Sequence, residues 1–278
     1  MRAVFRFAFH RIVILAAVYL ALCAAAFLLQ RHYLYFPSGA LPTPVQARLK
    51  GFSAVTLETA DGLKLTAWWK APPGTNAPVV VLFHGNAGSI ADRAVKAAAF
   101  AEAGFGMLLV EYRGYGGNPG RPHEAGLYAD ARAAARFLEA QGIARTRWVL
   151  YGESIGGGPA VQLAQELASA GGPAGAVILE AAFTSTADIA AVHYWFLPVH
   201  VIVSDRFDNA AKIASIAAPL LIMHGARDDI VPPAQAHRLH ELAREPKTLK
   251  LLASAGHNDL WGPEAAQAAI GFIRNAAR

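Results

Sequence analysis

One short turn constrains this chain more than any other feature. Trp148–Tyr151 is an apolar run of the buried-strand type, Gly152-Glu153-Ser154-Ile155-Gly156 follows at once, and Gly157-Gly158 open a helical pattern that runs to Ala170. A strand that gives way to a helix so abruptly forces strained dihedrals on the central residue, and side chains two positions to either side would collide. Gly152 and Gly156 remove those side chains. Ser154 is thereby lifted clear at the start of the helix, where the local dipole favours developing negative charge. In this setting G-x-S-x-G reads as a nucleophile. Standing alone it would read equally well as a packed glycine turn or a phosphate cradle, but residues 152–158 lack G-x-G-x-x-G and no P-loop lysine follows.

The turn sits inside a longer alternation. Ala54–Thr59 and Leu63–Lys70 flank Asp61-Gly62, a hairpin signal. Short apolar runs follow at Val79–Phe83, Met107–Tyr112, Trp148–Tyr151, Ala176–Leu179, Leu220–His224 and Leu249–Leu252. Between them lie alanine-rich helical patterns at Ile90–Ala103, Glu124–Ala140, Gly157–Ala170 and Ala234–Ala243, with Pro263–Ala277 closing the chain. Strands alternating with helices of this length imply βαβ units and an α/β domain over residues 51–278. Its central sheet would be mostly parallel, with helices on both faces. Phe183–Asp208 is longer than a simple connection and carries Tyr194-Trp195-Phe196-Leu197-Pro198. It reads as a short apolar cap insertion that either lines an acyl pocket or lies on a membrane.

A serine nucleophile needs oxyanion donors, a base and an acid. Val79–Phe83 runs into His84-Gly85-Asn86-Ala87-Gly88, a loop placed after an early strand, and its backbone N–H at Asn86 pairs naturally with that of Ile155, the residue after the nucleophile. His84 comes too early in the chain to be the base and reads as a brace for that loop. Leu249–Leu252 leads to Ala255-Gly256-His257, so His257 is the base that the order Ser…Asp…His of an α/β-hydrolase fold requires. The acid belongs in the loop after a late strand, where Asp228 and Asp229 stand side by side; Glu180 is a lesser rival. Asp229 suits a cap on the following turn. Asp259 suits a loop cap. Tyr112-Arg113-Gly114-Tyr115-Gly116-Gly117 reads as a turn that shapes the floor beneath the site.

The N-terminus is of a different character. Ile12–Leu29 is an 18-residue run without charge, proline or glycine. As a helix it would extend about 27 Å, close to the ~30 Å hydrocarbon core. Arg2, Arg6 and Arg11 precede it, Arg31 follows, and Tyr33, Tyr35 and Phe36 supply interfacial aromatics. Residues 1–36 therefore read as an anchor segment with a transmembrane helix over about 12–29, and the proline-rich residues 37–50 as a linker. A cleaved signal peptide ending at Ala24-Ala25-Ala26 competes, although Phe27-Leu28-Leu29 prolongs the apolar run past that site; a core or interfacial helix is a further alternative. The excess of arginine before the run favours a single-pass topology, N-terminus cytoplasmic and catalytic domain periplasmic or lumenal. Residues 1–57 hold six Lys/Arg and no acid, which leaves 19 basic against 20 acidic residues in the remainder. The formal charge of +5 thus belongs to the anchor, and nothing supports a nucleic-acid surface. Cys23 is the only cysteine, so no intramolecular disulfide forms.

Taken together, HGNAGSI (84–90), EYRGYGGNPGRPHEAGLYADARAA (111–134), YGESIGGGPA (151–160), FTS (183–185), HGARDDIVP (224–232), GHND (256–259) and RHYLYFP (31–37) resemble the membrane-anchored α/β-hydrolase-domain proteins, the group that includes eukaryotic protein depalmitoylases. The resemblance covers residues 31–278 and implies Ser154, Asp228 and His257 as a catalytic triad. It does not extend to the cysteine-rich N-terminus of the depalmitoylases. The expectation is a serine hydrolase acting on carboxylic esters or thioesters through an acyl-enzyme, without cofactor or metal. Its partners would be a small-molecule or acylated substrate and the lipid around the anchor. A serine peptidase or amidase is the alternative on the same fold, and a non-catalytic membrane-associated binding protein the alternative of another class.

Overall fold

The computed structural model describes residues 2–276, with side chains from residue 5 onward. Eight strands form one sheet: β1 (Ser53–Glu58), β2 (Lys64–Lys70), β3 (Val79–Phe83), β4 (Gly106–Val110), β5 (Trp148–Glu153), β6 (Ala176–Glu180), β7 (Leu220–Gly225) and β8 (Lys247–Leu252). Their order across the sheet is β8-β7-β6-β5-β3-β4-β2-β1. Only β2 runs against the others, pairing antiparallel with both β1 and β4. This is the α/β-hydrolase architecture that the strand–helix alternation implies.

The composition of the central strands explains the layering. β3, β4 and β6 are buried at every residue, as expected of parallel strands covered on both faces. Alternate side chains of β3 divide between two cores: Val79, Val81 and Phe83 face one, Val80 and Leu82 the other. The first core is closed by α3 (Glu124–Ala140), α4 (Gly157–Ser169) and α7 (Ala234–Leu242), and the second by α2 (Ala94–Glu102) and α8 (Pro263–Ala276). Alanines let the helices approach closely; Ala131, Ala134, Ala160 and Ala164 are all buried in the first layer. The helix expected over Ile90–Ala103 begins as a 3-10 turn at Ile90–Arg93, because Ser89 and Asp92 form a reciprocal capping box there. The last helix is described as far as Ala276; Ala277 lies outside the described residues.

Register brings the functional loops to one edge. Phe83 lies opposite Gly152, Gly152 opposite Leu179, and Glu180 opposite Met223, so the loops after β3, β5, β6 and β7 leave the sheet at nearly the same level. Ligands of open α/β sheets bind at this carboxyl edge.

The N-terminal helix α1 spans Arg2–Leu34, well beyond the uninterrupted apolar run, and is long and apolar enough to cross a membrane. Its C-terminal end is fastened to the domain. Arg31 donates from Nε to Asp205 Oδ2 at 2.8 Å and from Nη2 to Asp205 Oδ1 at 3.0 Å, and Tyr35 OH donates to the same carboxylate at 3.1 Å. Gln30 donates to the Ile202 carbonyl (3.1 Å) and accepts from the Ser204 N–H (2.8 Å). Beyond it Phe36-Pro37 pair in parallel with Ala87-Gly88. The stretch 37–50, expected as a linker, is held against the domain: Leu41 N–H donates to the Gly116 carbonyl, and Leu49 is buried. Its prolines set the path of a docked strap and leave no free tether.

Asp205 is the fastening point. Asp205→Ala strands the buried Tyr35 hydroxyl and should cost about 1–3 kcal/mol of stability. The expected result is a lower denaturation midpoint, with new proteolytic cuts between residues 34 and 50 in limited digestion.

Candidate active site

The end of β5 carries the sharp turn. Ser154 has φ of 52°, left-handed for a non-glycine residue, and the 3-10 turn Ser154–Gly156 leads directly into α4. A β-carbon at Gly152 would stand 2.6 Å from the Gly156 carbonyl oxygen, and one at Gly156 would stand 2.1 Å from the carbonyl oxygen of Phe83. Both glycines are therefore required by contact. The second clash is with the neighbouring strand, which the sequence pattern did not reveal.

Three residues from three loops converge on this turn. His257 Nε2 lies 3.1 Å from Ser154 Oγ, and His257 Nδ1 lies 2.8 Å from Asp228 Oδ2. With the ring proton on Nδ1, the imidazole donates to Asp228 and leaves Nε2 to accept from the serine hydroxyl. Asp228 is tightly held: Oδ1 accepts from the N–H groups of Ile230 (3.0 Å) and Val231 (2.7 Å), and Oδ2 also lies 3.2 Å from Nε2 of the buried His224. Burial alone would raise its pKa; the hydrogen bonds from His224, His257 and the Val231 N–H outweigh it and hold the carboxyl well below the ordinary carboxylate range. Asp229, expected to cap the following turn, has no hydrogen bond among the described residues. Asp228 does that work with the oxygen that His257 leaves free. Asp259 closes its own loop, accepting from the Gly256 N–H at 2.6 Å.

The loop after β3 is braced from all sides. His84 is fully buried and bonds through Nε2 to Glu111 (2.9 Å) and through Nδ1 to the Gly85 carbonyl (2.8 Å). Tyr112 OH donates to the His84 carbonyl and Tyr115 OH to the Asn86 carbonyl. The Asn86 carbonyl also accepts from the Phe36 N–H, while the Asn86 side chain donates to the Leu34 carbonyl. Among the described residues the Asn86 N–H itself has no partner. Arg113, in the glycine-rich turn, pairs with Asp130 and Asp61 and is structural.

A second feature of the site escaped the sequence pattern. Lys96, buried on α2, bridges Glu153 and Glu180, and Arg93 also pairs with Glu153. Tyr151 OH donates to Glu180. Burial would raise the Glu153 pKa, but the charges of Lys96 and Arg93 drive it below the ordinary range. Arg93 and Lys96 stand three apart at the start of a helix, and Glu153 directly precedes Ser154. That spacing is the one signal of the network in the sequence. Glu180, a rival for the triad acid, is committed to this network and has no bond to His257. The network floors a cleft of about 280 Å³ that includes Ser154, His257, Asn86 and Trp261. No residue lining it comes from the insertion 183–208, whose helices α5 (Thr186–His193) and α6 (Val199–Ile202) pack toward α1 instead. No cluster of His, Cys, Asp or Glu suited to a metal ion occurs among the described residues.

Both Asp228 and Glu153 ionise more readily folded than unfolded, so their stabilisation is complete above the ordinary carboxylate range and is lost as pH falls through and below about 4. In Glu153→Gln that acid-side decline should be shallower. At pH 7 the same variant should be less stable by about 3 kcal/mol, because Arg93 and Lys96 lose a buried partner. Urea denaturation as a function of pH measures both effects.

Known proteins share this frame. The family model described as serine aminopeptidase, S33, of the α/β hydrolases, matches residues 74–212. A Mycobacterium tuberculosis protein is 41% identical over 232 residues, covering 83% of this chain and 81% of its own. The alpha/beta hydrolase domain-containing protein WAV2 of Arabidopsis thaliana is 30% identical over 238 residues, covering 79% and 76%. Among solved structures, a Pyrococcus furiosus esterase superposes with a TM-score of 0.70 at 16% identity, covering 88% of this chain and 98% of that one. The chain belongs to the α/β-hydrolase family.

Proposed function

We propose that the chain is a membrane-held serine hydrolase that cleaves carboxylic esters or thioesters. The observation that carries the reading is the unbroken hydrogen-bonded line from Asp228 through His257 to Ser154, a half-buried serine on a left-handed backbone that lines the cleft. His257 Nε2 takes the hydroxyl proton as Ser154 Oγ attacks the acyl carbonyl. Asp228, ionised and anchored by two backbone N–H groups, stabilises the imidazolium that forms. The N–H groups of Asn86 and Ile155 receive the oxyanion, at about 3–4 kcal/mol each. Collapse expels the alcohol or thiol, which takes the proton from His257. Water then repeats the sequence on the acyl-enzyme and releases the acid.

An ester or thioester suits the cleft of about 280 Å³ at Ser154. The esterase activity named for the Pyrococcus furiosus protein agrees in kind. Helix α1 serves as an uncleaved anchor, with its N-terminal arginines on the cytoplasmic side and the catalytic domain on the other. Protease protection checks that orientation: protease added to sealed spheroplasts should digest the domain, and a domain protected there but digested in sealed inside-out vesicles would reverse it.

A fluorophosphonate probe should label the native chain and leave Ser154→Ala unlabelled; an unlabelled native chain would sink the hydrolase reading. Asp228→Asn should keep the fold and lower kcat by about 10⁴, because the imidazole then takes the wrong tautomer. A panel of p-nitrophenyl esters, thioesters and aminoacyl anilides compares leaving groups, with turnover of the anilides alone favouring a peptidase.

A further inference from the structure

The insertion and the anchor enclose a second, chemically different space. A cavity of about 460 Å³ lies between them, within the roughly 300–1,000 Å³ of ligand pockets. Leu22, Ala26 and Leu29 of α1 form one wall, and Ala190, Leu197 and Ile202 of the insertion form the other. Two of the polar groups at its margin are engaged, Gln30 with Ile202 and Ser204 and Thr186 Oγ1 with the Asp205 carbonyl, which leaves the hydroxyls of Tyr33 and Tyr194 as the polar side-chain groups of the lining. It offers a ligand apolar surface and little else.

Position along α1 says what surrounds it. Tyr19, in the middle of the apolar run, donates its hydroxyl to the Phe196 carbonyl at 2.9 Å. Twelve residues separate Tyr19 from the Arg31 clamp, about 18 Å along the helix. If α1 spans a bilayer, the tip of the insertion therefore lies at acyl-chain depth. The insertion is built for that depth. Residues 189–204 contain no Asp, Glu, Lys or Arg, and Trp195 and Val201 are 82% and 83% exposed. A cluster of this kind on a water-facing surface would be an interaction site or a liability. Beside a membrane-spanning helix it is an interfacial wedge of aromatic and branched side chains.

We propose that the cavity between α1 and the insertion binds one acyl chain of a membrane lipid, received sideways from the bilayer. The proposal rests on the reading of α1 as a membrane anchor. The small residues Ala25 and Ala26 on one wall and Ala190 on the other leave the space between the walls unfilled, and Asp205, through Arg31 and Tyr35, fixes their spacing. The occupant is an acyl chain on two grounds. Among the described residues the lining holds no charged side chain and only two tyrosine hydroxyls, Tyr33 and Tyr194, without a partner, too few to recognise a headgroup or a peptide. The walls also face the region where chains are the solvent.

The test uses the full chain in nanodiscs of phosphatidylcholine carrying a small share of phosphatidylcholine with a diazirine midway along one acyl chain. After irradiation, peptides covering Leu22–Leu34 and Ala190–Val203 should carry label in excess of Phe5–Tyr19, which reports ordinary lipid contact. Ala26→Trp and Ala190→Trp fill the cavity from opposite walls. Each should abolish the excess and leave the label on Phe5–Tyr19 unchanged. Even labelling along α1, or an excess that survives both substitutions, would overturn the proposal. Carbonate extraction separates the two failures: a chain released from vesicles removes the anchor reading and the groove with it, whereas a retained chain without the excess removes the groove alone.

Discussion

The active edge depends on one close approach of backbone to backbone. The carbonyl of Phe83 occupies the space where a side chain at position 156 would begin, so the end of β3 and the turn after β5 are in direct contact. That contact fixes the loop carrying Asn86 and the turn carrying Ser154 in one frame. The left-handed backbone at Ser154 is a local cost that the surrounding packing over-determines. Any side chain at 156 would have to push the central strands β3 and β5 away from each other. The glycine is therefore needed by the sheet as much as by the serine.

Around that frame the charges are arranged in balanced groups. Lys96 and Arg93 face Glu153 and Glu180 beneath Ser154, so two cations and two carboxylates sit below the cleft with little net field. Asp228 is different: its buried charge is matched by backbone N–H groups and imidazoles and has no fixed cation. It therefore interacts most strongly with the imidazolium of His257 when that species forms. The first group holds geometry. The second is poised to respond to a proton.

Much of this was legible in the sequence because the relevant residues are neighbours in it. The turn at Ser154, the loop at Asn86 and the Gly-His at 257 each declare themselves within a few positions of a strand end, and the alternation of runs implied the sheet. What was not legible depended on direction and burial. Asp228 and Asp229 differ by one position; spacing alone left both open, the family resemblance pointed to Asp228, and the path of the chain after β7 turns that carboxylate toward His257. Lys96, set among alanines, reads as a solvated lysine until α2 is laid on the sheet. The prolines of 37–50 suggest a free linker, because the pairing of Phe36 with Ala87 and the clamp at Asp205 join residues far apart in sequence. The aromatic residues of 194–196 could belong over the cleft or beside the anchor, and the hydrogen bond from Tyr19 comes from the second arrangement.

The clamp at Asp205 leaves the catalytic domain no slack. With α1 in a bilayer, Ser154 would stand at a fixed height above the lipid and could not swing out into the aqueous phase. Encounter would then be a problem in two dimensions. The concentration that governs rate would be the mole fraction of substrate in the surrounding leaflet, and diluting the membrane with inert lipid would slow the reaction even at constant bulk substrate. Such a domain would sample its substrates by lateral diffusion, and a water-soluble ester would be visited only as often as it partitioned to the surface.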